Sequence, residues 1–106
     1  DKAWPEAFAV LEPLLAAYPD HGEFHYQFGR LASLSGLHRD RGIVFLRRFL
    51  AASPTPGETS RVQAHFRLGT LLEWEGDLAG AKEEYRQVIE ADPNHRPART
   101  ALDRMK

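Results

Sequence analysis

Five histidines, at positions 21, 25, 38, 65 and 95, are the residues of this sequence best equipped for metal or acid–base chemistry. His21 and His25 stand four apart, the helical spacing that turns two imidazoles toward one metal. A metal site normally needs three or four converging ligands, and the chain has no cysteine and no His-Glu-x-x-His run. His21 falls at a helix entry, and His38 in a turn. His25 and His65 occupy equal places in two similar stretches, and His21 and His95 share a second register, in the links before the next helix. They read as packing and link residues. Carboxylates gather at Glu73, Glu75, Asp77, Glu83 and Glu84, but on helix ends and polar faces, whereas paired catalytic carboxylates need a cleft. There is no Gly-x-Ser-x-Gly, no P-loop and no Gly-x-Gly-x-x-Gly. The expectation is a chain with no catalytic residue, no cofactor and no metal.

The elements that hold these residues repeat. His25-Tyr26-Gln27-Phe28-Gly29-Arg30-Leu31 and His65-Phe66-Arg67-Leu68-Gly69-Thr70-Leu71 share their order of aromatic, polar, apolar and small types. Seven residues after each aligned glycine comes another, Gly36 or Gly76, suited to the left-handed residue that closes a helix. A second apolar-periodic segment follows each and ends near Pro54 or Pro93. Ala7, Leu11 and Leu14 are spaced like Ala81, Tyr85 and Val88, so the chain reads as starting on the second helix of a truncated unit, an excised piece of something longer. Six helices are predicted. Pro5 suits a first turn, Asp20 with Glu23 reads as a capping box, and Asp77 and Asn94 are good cap types. The proline-rich link Ser53–Ser60 is either a tolerated insertion or a partner-contacting loop.

Charge narrows the function. Fourteen basic residues face fifteen acidic ones, for a net charge of −1, which argues against a general grip on nucleic acid. No run of eighteen apolar residues marks a membrane span. The charge is uneven: residues 1–21 carry −3, 22–61 carry +3, 62–95 carry −4 and 96–106 carry +3. Arg39, Arg41, Arg47 and Arg48 form the densest basic group, read as complementarity between units.

The stretch Val62 to His95 resembles a tetratricopeptide repeat, with Leu68-Gly69, Leu72, Ala81, Tyr85, Val88 and Pro93 at the signature places and His65 where Trp is usual. Gly22 to Pro54 is a weaker match through Phe28-Gly29, Ala32 and Gly42, with one inserted residue near Leu37-His38. The resemblance implies an all-α solenoid of helical hairpins, about six helices in a right-handed superhelical stack. Its units are a truncated repeat over 1–21, a repeat over 22–56, a loop over 57–61, a repeat over 62–95 and a capping helix over 96–106. It also implies a non-catalytic scaffold for a protein or peptide, with no nucleic acid and no membrane. The first helix of each unit would line the groove with Glu23, Tyr26, Arg30 and Ser33, then Gln63, Phe66, Thr70 and Glu73. Trp74 would sit at the edge, with Thr100 and Arg104 from the last helix. The Asn residues with which some members hold a peptide's terminal carboxylate are missing. Two alternatives stay open: a self-assembling segment whose Trp4, Phe8 and Leu11 face meets a second copy, and an accessory segment of an enzyme. The compartment is not readable.

Overall fold

The computed structural model describes residues 3–52 and 58–106, with 58–60 by backbone alone. Six helices run through the described residues, with no strand among them: α1 (Trp4–Ala17), α2 (Gly22–Ser35), α3 (Arg39–Ala51), α4 (Glu58–Trp74), α5 (Leu78–Ala91) and α6 (Arg96–Arg104). Pro54, expected to stop a helix, and the proline-rich part of the link lie outside the described residues. The loop expected over 57–61 is corrected: the chain is helical from Glu58 onward. An acidic residue suits a first turn, where unpaired amides point outward. Arg61 Nη1 donates to Leu50 O at 3.1 Å, which ties the start of α4 to the end of α3.

The turns follow local chemistry, with two shifts of register. Gly36 and Gly76 take the left-handed conformation, at φ 78° and 85°. Asp77 caps α5 by accepting from Gly80 N at 2.9 Å. The Asp20–Glu23 capping box does not form, because the N-cap of α2 is His21 and Glu23 instead accepts from Gln27 Nε2 at 2.8 Å. Asn94 likewise yields to His95, whose Nδ1 accepts from Ala98 N at 3.2 Å. An imidazole nitrogen here does the work of a Ser or Asp oxygen.

Helices α2 and α3 form one hairpin, α4 and α5 a second; α1 lies on α2 and α6 on α5. The hairpins also touch through α2–α4 and α3–α4 contacts, so α4 joins both units. The molecule is 40 × 32 × 19 Å, the thickness of two helix layers at about 10 Å each. Both hairpins close over a buried glycine. A methyl added at Gly69 would lie 2.7 Å from Tyr85 Cε1, and one at Gly29 would run into the Leu46 side chain. Leu46 and Tyr85 each follow the small residue of their helix, Gly42 or Ala81, by four positions. Gly42 in turn meets the Ala32 methyl. The same knob therefore fills the same notch in both units.

Phe28, Leu46, Leu68, Leu72, Tyr85 and Val88 are buried as expected, while Phe49 is half-buried. The open N-terminal face is corrected. Phe8 and Leu11 are buried within the chain, and Phe8 meets Phe28 edge-on with ring centroids 5.0 Å apart and His38 at 4.7 Å. Trp4 is half-buried. Helix α2 and His38 in the turn after it cover the Phe8 side of α1, the face that one alternative gave to a second copy.

Candidate functional site: the face of α2 and α4

Residues one helical turn apart share a face, so Tyr26, Arg30 and Ser33 line α2 as Phe66, Thr70 and Glu73 line α4. At the C-terminal ends of the two helices, Ser33, Thr70, Glu73 and Trp74 border a hollow of about 370 Å³. Ser33 is buried and its Oγ donates to Arg30 O at 2.8 Å. Thr70 Oγ1 donates to Phe66 O at 3.1 Å. Both hydroxyls spend their proton on their own helix and keep lone pairs for the hollow. Trp74 is 47% exposed, and its ring lies against Gly36, where a Cβ would stand 2.7 Å from Cη2. That packing, together with φ of 78°, demands glycine at position 36.

Glu73 is the best-connected polar residue of this face. It accepts from Tyr85 Oη at 2.9 Å and pairs with Arg104, so α4, α5 and α6 meet at one carboxylate. The Arg104 hydrogen bond, helped by Tyr85, holds this carboxyl below its ordinary range. Glu73 correspondingly raises the Arg104 guanidinium. Burial pushes the Tyr85 phenol up to about 12. Glu73 is thus an ionised acid whose charge is already balanced.

The structure brings Ser33, Thr70, Glu73 and the edge residue Trp74 together, with Arg104 joined to them through Glu73. The other expected groove residues stand farther along. Tyr26 is half-buried against Phe49, at 5.4 Å between centroids. Phe66 is half-buried against Tyr85 at 5.7 Å and His95 at 5.1 Å. Both aromatics therefore serve their neighbouring helices as well as the surface. Glu23 is engaged by Gln27, Gln63 is half-buried and Thr100 is exposed. The Arg30 side chain makes no hydrogen bond or ion pair among the described residues, and the buried Nε of Arg67 has no hydrogen-bond partner. Sequence reasoning put Tyr85 at a signature place of the repeat and missed its polar end. The signal was present, since a buried phenol needs a partner for its hydroxyl.

The histidines and arginines have structural work. His25 Nε2 lies 2.7 Å from Pro19 O, and its ring stacks on Phe45. His65 Nδ1 meets Glu84 Oε1 at 2.6 Å, so this position is an acid partner as well as a packing one. Among the described residues no three His or acidic side chains converge as metal ligands. Arg41 holds Glu12 with two bonds of 2.7 and 2.8 Å, and Arg39 pairs with Glu75 at 3.0 Å while lying over the Trp74 ring at 5.4 Å. Two of the four clustered arginines thus join separate units, as the charge pattern implied. No helix of the described residues is long and apolar enough to cross a membrane.

Two helical hairpins nested through the same glycine notch, with side chains converging on one face, define a helical-hairpin repeat. Residues 63–95 match the model of the tetratricopeptide repeat, so this stretch of the chain is similar to that family. Repeats of this family are generally protein–protein interaction scaffolds. Among curated proteins, no relative matches the sequence.

Proposed function

We propose that this chain binds a peptide or protein surface on the face made by α2 and α4, with α6 at its end, and does no chemistry on what it binds. One observation carries the reading: Ser33, Thr70, Glu73 and Trp74, from two separate hairpins, border a single hollow. The wider site adds Glu23, Tyr26, Arg30, Gln63, Phe66 and Arg104. Stacked helix pairs offer such a face because each unit buries one side against its neighbours and leaves the first helices outward. The same reading takes 22–56 as a second unit, supported by the shared notch at Gly29 and Gly69, and α1 and α6 as parts of adjoining units. The burial of Phe8 and Leu11 weighs against self-assembly through α1.

The test is selection of binding peptides from a random library, followed by backbone NMR of the isotope-labelled chain. Shifts should fall on α2 and α4 around Tyr26, Arg30, Phe66 and Thr70. Peptides whose shifts fall only on the outer faces of α3 and α5, or a library without binders, would refute it.

A further inference from the structure

Resting on that reading, the hollow between the ends of α2 and α4 has a chemistry that selects its occupant. Trp74 and Leu34 stand five residues after Gly69 and Gly29, the same register on adjacent helices. Both are exposed, at 47% and 41%. Of the two, Trp74 borders the hollow, and it leaves a large apolar side chain in water there. Ser33, Thr70 and Glu73 line the rest of it. Glu73 brings no uncompensated charge, because Arg104 neutralises it. Arg30, one turn before Ser33 on α2, is a different case: its guanidinium has no carboxylate among the described residues. Arg67, on the same turn of α4 as Phe66, makes no ion pair among the described residues either. The hollow therefore offers one exposed indole among polar groups without net charge, with a cation beside it.

We infer that the hollow takes one aromatic side chain from an internal, extended segment of a partner protein, with an acidic side chain beside it paired to Arg30. An aromatic ring packs against the Trp74 indole and fills the hollow. A carboxylate accepts two parallel bonds from a guanidinium, which orients the segment. One helical turn is about 5 Å, and an extended chain advances about 3.3 Å per residue, so the acid stands one or two residues from the anchor. No free carboxy-terminus is needed, since a side-chain carboxylate meets Arg30 equally well.

Nine-residue peptides, acetylated and amidated, test this by fluorescence anisotropy. One set carries a central Phe flanked by Glu. A second replaces Glu by Lys, a third replaces Phe by Ala, and a fourth leaves the first with a free C-terminus. The first and fourth sets should bind alike, and the second and third about tenfold more weakly or worse. Trp74→Ala and Arg30→Gln should each weaken the first set about tenfold at a temperature where circular dichroism shows the variant folded, while Val44→Ala on the far helix α3 should change nothing. Equal binding of the Glu and Lys sets, indifference to Trp74→Ala or Arg30→Gln, or dependence on a free C-terminus would overturn the inference. If none of the sets binds, the inference falls as well. The broader groove reading then stands or falls separately, on whether library-selected peptides still shift α2 and α4.

Discussion

Replacing Gly69 by alanine tests the packing on which everything else is built. Alanine is the better helix former by roughly 0.5–1 kcal/mol, so on a free helix surface the change should stabilise. Here the new methyl would stand 2.7, 3.0 and 3.1 Å from Cε1, Cδ1 and Cζ of Tyr85. The ring cannot swing away, because it is buried and its hydroxyl is tied to Glu73. Overpacking of this kind costs roughly 1–3 kcal/mol, which exceeds the propensity gain. The expected outcome is a net loss of about 1–2 kcal/mol, a noticeable part of the roughly 5–15 kcal/mol that holds a small domain together. Urea unfolding followed by far-ultraviolet circular dichroism measures it. In a Tyr85→Leu background, where the ring edge is gone, the cost of Gly69→Ala should shrink by about 1 kcal/mol, a coupling that only contacting residues show. A Gly69→Ala variant as stable as the parent or more so would mean that α4 and α5 do not nest as described, and the argument for a shared notch would collapse.

Three further outcomes follow from the same contacts. Asp77→Ala removes the cap on Gly80 N and should cost about 1 kcal/mol in thermal or urea unfolding, whereas Asn94→Ala, whose side chain caps nothing, should cost only a few tenths. Glu73 has a folded pKa below its ordinary value of 4.5, so its stabilising contribution is complete above that pH and is lost as pH falls through the lower folded value. With Glu73 21% and Arg104 56% exposed, the contribution is at most about 1 kcal/mol, and Glu73→Gln should flatten the acid limb of stability against pH without changing it above neutrality by more than that. Tyr85→Phe keeps the ring in the notch but leaves Glu73 with Arg104 alone; a loss of about 1 kcal/mol is expected in unfolding, and an unchanged stability would show that the phenol–carboxylate bond contributes nothing net.

Period and punctuation determined the architecture from the sequence alone. Apolar residues at helical spacing, left-handed glycines at 36 and 76, Pro5 at a helix start and the cap at Asp77 are all settled within a few residues of chain, so they could be read without a fold. The two aligned heptapeptides went further and showed that one unit is used twice. The resemblance to the tetratricopeptide repeat implied that Ser33, Thr70 and Glu73 share first-helix faces, and a face is a property of a single helix.

What lies across from a residue is not local, and there the tertiary structure decided. Leu46 and Tyr85 fill the space over Gly29 and Gly69, and Gly42 also comes close to Gly29; which side chain reaches across is fixed only when the helices pack. Phe8 is buried because Phe28 of α2 and His38 in the following turn close over it, a covering that α1 gives no hint of. Glu73 reads along the chain as one more surface acid; only the meeting of three helices gives it Arg104 and Tyr85 and cancels its charge. Arg30 keeps its charge uncompensated for the converse reason, that no carboxylate of the described residues arrives opposite it. Helices are fixed by contacts three and four residues apart, whereas the balance of charge and exposure on a face depends on which distant helices pack beside it.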